Sequence, residues 1–221
     1  MVISVPETPS SAPPAQQPVT ADSFLEIRGV HKRFAGVPAL RGVSLNIRRG
    51  QIYHLMGENG CGKSTLIKII SGAQPPSEGQ IIIDGKAYAA PPPIEALSAG
   101  IETVYQDLSL LPNLSVAENI ALTQQLVASG GKLTRRLDRQ KMTETAARAL
   151  AVFGLPCDTD SMAQRVDELP IAKRQLVSIA RSIATEARLV IMDEPTTALT
   201  KREVDNLITV VGKLRSQGSA V

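Results

Sequence analysis

Eight residues constrain this chain more than any others: Gly57-Glu58-Asn59-Gly60-Cys61-Gly62-Lys63-Ser64. They satisfy the pattern G-x-x-x-x-G-K-[ST] at every fixed position. Their surroundings fit. Residues 52–56 are a short, mostly apolar run that reads as a buried strand. Residues 65–71 place Leu66, Ile69 and Ile70 on one helical face, and Gly72 is suited to end that helix. A strand, a glycine-rich loop and a helix aim backbone N–H groups and the positive end of a helix dipole at one spot. Such a spot favours phosphate. Lys63 is expected to reach the outer phosphates and the Ser64 hydroxyl to ligate Mg²⁺. The competing explanation, a chance glycine-rich turn, is weakened by the strand before it and the helix after it.

With 43% hydrophobic residues among 221, the chain can bury a core, and with 3% aromatics and no Trp that core is aliphatic. The formal charge of +3 demands no nucleic-acid partner. The basic cluster Arg135, Arg136, Arg139 and Lys141 lacks interleaved aromatics and reads as a solvated helix face. Cys61 and Cys157 form no metal or disulfide pattern, which suits a reducing compartment. No apolar run approaches the roughly 18 residues of a membrane helix. No basic-then-apolar leader opens the sequence. Service at a membrane would therefore run from its surface, through another subunit.

Residues 1–22 are rich in Pro, Ser, Ala, Gln and Thr and read as a disordered tail. A first strand starts at 24–27, and residues 29–41 read as a loop. Val43, Leu45 and Ile47 alternate with polar residues as a half-buried strand. Asp84-Gly85 between two short apolar runs signals a hairpin. A short helix over 94–99 stops at Gly100, and a strand is expected over 102–106. Ser115 with Glu118 three residues later forms a capping box. Helices are expected over 116–128, 138–153, 171–184 and 201–216, with a helical insert about 107–183. Leu189-Val190-Ile191-Met192 is an apolar run ending in Asp193-Glu194. It reads as a buried parallel strand whose acid emerges at the ligand-binding edge. Asp193 is then placed to hold Mg²⁺ through water, and Glu194 to orient and deprotonate a water for attack on a γ-phosphate. A strand end with its cap is the plainer alternative.

Together these residues resemble the ATP-binding cassette (ABC) ATPases over about residues 24–221. The resemblance implies an α/β fold: a P-loop NTPase with a RecA-like parallel core sheet, an antiparallel β subdomain and a helical insert. It makes 57–64 the Walker A loop, so that Gly57, Glu58, Asn59, Gly60, Cys61, Gly62, Lys63, Ser64 and Thr65 bind the nucleotide phosphates. It makes 189–193 Walker B, Glu194 the catalytic glutamate and 198–200 the D-loop. Gln106 falls at the glutamine that contacts Mg²⁺ and the water and senses a membrane subunit. Catalysis would rest on Glu194, Gln106 and Lys63, and Mg²⁺ on Ser64, Gln106 and Asp193. Phe34 falls where an aromatic stacks on adenine; the plainer possibility is packing.

The stretches 56–60, 108–120 and 192–196 are similar to the ATPases of monosaccharide importers of the ribose, xylose and galactose type, in which two cassettes share one polypeptide. This chain resembles the first. The resemblance implies MgATP as fuel, a second cassette, transmembrane permease subunits, an indirect sugar-binding partner, and a place on the cytoplasmic face of the inner membrane.

Two departures stand out. The signature Leu-Ser-Gly-Gly-Gln is matched by Leu169-Pro170-Ile171-Ala172-Lys173. Pro170 suits a first helical position but removes a hydroxyl and an N–H donor. Ala172 adds a methyl where glycine allows close approach. One competent and one impaired site are expected in the assembly. The family also continues into a strand, lying between the Walker A and Walker B strands, and a switch histidine. Residues 219–221 look like the start of that strand, so the sequence is expected to be a piece of a longer chain, poorly active alone. A soluble cassette ATPase without a membrane partner and a non-hydrolysing nucleotide-binding module remain alternatives. A small-molecule kinase would leave Gln106, Glu194 and the signature helix without roles.

Overall fold

The structure, a computed structural model, describes residues 23–105, 108–130, 138–193 and 200–221. The expected tail over 1–22 lies outside the described residues.

An antiparallel sheet is built from β1 (Ser23–Phe34), β2 (Val37–Arg48), β3 (Glu78–Ile83) and β4 (Lys86–Tyr88), in the order β2-β1-β3-β4. Its register sets apolar residues opposite one another: Leu25 pairs with Ile47 and Ile83, and Ile27 with Leu45 and Ile81. Asp84 and Gly85, at φ 50° and 80°, make the expected two-residue turn, whose hand matches the strand twist.

The expected loop over 29–41 is not one. β1 continues through His31 to Phe34, turns at Ala35-Gly36, and pairs Phe34 with Val37. Register shifts between Ile27 and Val30, Val30 and Lys32, and Lys32 and Arg33 scramble the alternation by which a strand is recognised. Pro38 is tolerated because β2 is an edge strand.

A second, parallel pair joins β5 (Ile101–Val104) to β6 (Leu189–Met192), with Ile101 opposite Leu189 and Val104 opposite Met192. The Val190 N–H donates to Ala220 O at 2.9 Å, and the Tyr53 N–H to Val221 O at 2.8 Å. Residues 220–221 therefore lie between β6 and the segment that leads into the glycine loop, where the resemblance placed a strand. That leading segment is not the buried strand expected over 52–56. It pairs at 51–53, then keeps only an isolated bridge at His54, and Leu55 and Met56 are 50% and 65% exposed. Its side chains, with Ile191, Met192, Ile208 and Val211, line an apolar cleft of about 720 Å³.

Seven α-helices occur among the described residues: α1 (Lys63–Ile70), α2 (Pro93–Ser98), α3 (Val116–Ala128), α4 (Arg139–Ala151), α5 (Thr159–Ala163), α6 (Ile171–Ala184) and α7 (Lys201–Ser216). The capping box at Ser115 is formed in both directions, Glu118 N–H to Ser115 Oγ and Ser115 N–H to Glu118 Oε2. Thr200 and Glu203 form a second one at the start of α7. Leu66, Ile69 and Ile70 of α1 enter the core beneath the antiparallel sheet. Val116, Ile120, Ala146, Leu150 and Met162 form a helical core with Val177, Ala180 and Ala184 of α6. Ile179, on another face of α6, packs with Val104, Val190, Leu207 and Val210. Helix α6 thus belongs to two cores at once.

Arg181 fixes that arrangement. It donates to Glu102 Oε1 at 2.7 Å, and to the carbonyls of Ser109 and Thr103 at 3.1 and 3.3 Å. Glu102 is 4% exposed, and burial pushes its carboxyl above the ordinary range against the opposing pull of Arg181.

Candidate functional site

The glycine loop is set by two contacts. Gly62 sits at φ +100°, a conformation L side chains rarely adopt, and a Cβ there would lie 2.6 Å from Ala39 O and 2.7 Å from Leu40 Cδ2. Strand β2 therefore touches the loop through Ala39, and only glycine permits it. From the other side, Lys63 Nζ donates to Gly57 O at 2.7 Å and Glu58 O at 2.9 Å, drawing the loop around the ammonium.

Helix α1 begins at Lys63, and Gly62 in the cap position supplies no side-chain acceptor. The first helical N–H groups have no partner within a helix. They open onto a cavity of about 450 Å³ lined by Ala39, Asn59, Gly60, Gly62, Lys63, Ser64, Thr65 and Asp193. Asp193 arrives from a different element. Its N–H donates to Val104 O at 2.9 Å, extending the β5–β6 ladder one step, and its side chain stands just past the C-terminal end of β6. The wall of the cavity thus combines an ammonium, two hydroxyls, helix-terminal N–H groups and one carboxylate. That set suits a polyphosphate with a hard cation. Among the described residues no group of three or more His, Cys, Asp and Glu could hold a metal. Mg²⁺ is commonly bound by one or two protein groups plus substrate phosphates, and Ser64 and Asp193 on this cavity could supply the protein groups.

The expected site residues divide as follows. Asn59, Gly60, Gly62, Lys63, Ser64, Thr65 and Asp193 share the cavity. Gly57 and Glu58 contribute carbonyls to Lys63. Cys61 is exposed, and its N–H donates to Glu58 O at 3.3 Å within the loop. Phe34 ends β1 and is 44% exposed. Gln106 and Glu194 lie outside the described residues. The approach to Gln106 is held by Tyr105, whose hydroxyl bonds Ser71 Oγ at 2.7 Å at the end of α1. Pro170 stands at the cap of α6 rather than inside its first turn, and no side chain caps that helix. Sequence reasoning missed Ala39, which carries no chemical label, and placed Thr200 in the D-loop without reading its cap on α7, although the Thr-x-x-Glu spacing repeats the signal visible at Ser115.

A phosphate loop feeding a helix, an acid at the end of a parallel strand, a lateral antiparallel sheet and a helical layer define a P-loop nucleoside-triphosphatase fold of the cassette type. The chain belongs to the ABC transporter family, whose sequence profile matches residues 40–197. Among curated relatives, a ribose import ATP-binding protein RbsA 2 of Burkholderia pseudomallei is 45% identical over 199 residues, which is 90% of this chain and 38% of that protein. A putative ribose/galactose/methyl galactoside import ATP-binding protein of Burkholderia lata is 42% identical, over 97% of this chain and 39% of its own length. The chain therefore spans about two fifths of these relatives. A solved dimeric ATP-binding cassette in a post-hydrolysis state, bound to ADP and Pi, superposes with a TM-score of 0.77 at 25% identity, covering 90% of this chain and 86% of that one. No helix among the described residues is long and apolar enough to cross a membrane.

Proposed function

We propose that this chain is an ATP-binding and ATP-hydrolysing cassette that powers import of a monosaccharide. The observation that carries the reading is the meeting of Lys63, Ser64 and Thr65 of α1 with Asp193, from the end of β6, on one cavity. The sugar-import names of its relatives support the substrate class.

In this reading the loop N–H groups and Lys63 hold the β- and γ-phosphates, and Lys63 balances the charge that builds as the terminal phosphoryl leaves. Ser64 and Asp193, with Gln106, would hold Mg²⁺, which when bound would offset the negative charge of the β- and γ-phosphates. Glu194 orients a water and takes its proton. Phe34 carries the adenine. Its cross-strand partner Val37 lies two residues from Ala39, which touches the loop.

Helix α6 starts at the altered signature and would serve the nucleotide of a second cassette. Its missing hydroxyl and N–H donor favour one competent and one impaired site. Permease subunits would dock near 107–120, at the cytoplasmic face of the membrane. ATP hydrolysis by the assembled transporter, with and without Glu194→Gln, tests the assignment. A loss of about a hundredfold or more is expected for removal of a general base. Unchanged hydrolysis would sink it and leave the non-hydrolysing module, which the altered signature favours. Co-purification with an integral membrane protein, and stimulation of hydrolysis by a sugar with its binding protein, separate the importer from a soluble cassette ATPase.

A further inference from the structure

Three cation–aromatic pairs occur among the described residues. Arg49 covers Phe24, which is buried, and Lys86 covers Tyr88, which is half-buried. The third pair is different: Lys32 Nζ lies 5.2 Å from the ring centroid of Phe34, and that ring is exposed. Phe34 therefore stays open to solvent while an ammonium lies over its ring.

The ammonium is itself anchored. Lys32 Nζ donates to Pro75 O at 2.7 Å. The backbone around it is sewn to the same segment, Ser77 N–H to His31 O at 2.8 Å and Arg33 N–H to Ser77 Oγ at 3.1 Å. Register shifts on both sides of Lys32 kink β1 where this happens. The result is a cation held against one side of a ring at the free end of a hairpin, where an aromatic side chain would otherwise turn about its own bonds.

We infer that Lys32 is a positioning residue for purine recognition: it fixes the ring of Phe34 and leaves a single face for the base. This rests on the stacking role of Phe34 proposed above. A cation behind the ring also draws π density from the open face, which reduces repulsion against the electron-rich face of a purine. Lys32 would then set base affinity without touching the phosphates.

The experiment compares binding of MgATP and of magnesium tripolyphosphate, which has no base, by calorimetry on the wild-type chain, Lys32→Met, Lys32→Arg and Phe34→Ala. Phe34→Ala is expected to weaken MgATP about tenfold, as for loss of a stacking platform. Lys32→Met is expected to weaken MgATP about two- to fivefold, because the ring must then be ordered on binding, and to leave tripolyphosphate unchanged. Lys32→Arg restores ATP affinity, and Lys32→Met adds nothing in the Phe34→Ala background. ATP affinity that is unchanged or tighter in Lys32→Met, while Phe34→Ala loses it, overturns the role of Lys32 alone. An equal loss for tripolyphosphate overturns it too, because the charge would then act on phosphate. Unchanged ATP affinity in Phe34→Ala overturns the stacking reading and the inference with it.

Discussion

At Gly62 the loop has no room for a side chain. A methyl there meets a backbone carbonyl of β2 at 2.6 Å, and φ +100° is strained for any L residue. Gly62→Ala is expected to destabilise the chain by about 1–2 kcal/mol from the backbone conformation alone, measured by urea denaturation, and to displace the loop. Lys63 is already committed to two loop carbonyls. Lys63→Ala removes charged hydrogen bonds and should weaken MgATP binding about tenfold to a hundredfold, read by fluorescence titration. These residues were legible from the sequence because their identities and spacing are themselves the signal. Arg181 and Glu102 were not. They meet across 79 positions, and nothing local announces a buried pair. Lys32 was hidden because its meaning lies in a ring two residues on, in a segment read as loop.

Among elements, α6 couples the helical layer to the parallel strands through that pair. Arg181→Met should cost about 3–5 kcal/mol, because it strands a buried carboxylate. Adding Glu102→Leu should recover most of it, since a fitted apolar pair has no desolvation penalty. The pH dependence has a definite sign. Burial raises the folded pKa of Glu102 above its ordinary 4.5, so the folded state binds the extra proton. Stability of Arg181→Met should therefore fall as pH rises from 4.5 through the raised value, and Glu102→Leu should remove that slope. At α7 the sign reverses. The Thr200 N–H and then its hydroxyl lower the pKa of Glu203, so its contribution is present above 4.5 and lost as pH falls through the lowered folded value. Glu203→Gln should flatten that part of the acid limb. Ser115→Ala should cost about 1 kcal/mol by opening the α3 cap. The long helices were legible because their apolar period and caps agree. The strand over 52–56 was misread because a strand needs partners, and only 51–53 finds them.

At the scale of the molecule, the cavity and the apolar cleft share Lys63 and Asp193 as a common wall. The cassette architecture followed from the order of motifs; the meeting of Asp193 with the loop followed only from the β5–β6 register. Under the proposed function these groups grip one magnesium-bound triphosphate. Nucleotide affinity measured with and without Mg²⁺, in the wild-type chain and in Asp193→Asn, tests this most directly. The expected result is tighter binding with Mg²⁺ in the wild type, most of that gain lost in Asp193→Asn, and Mg²⁺-free affinity no weaker in the variant, because a carboxylate that repels bare phosphate is gone. The same gain from Mg²⁺ in both proteins would contradict it.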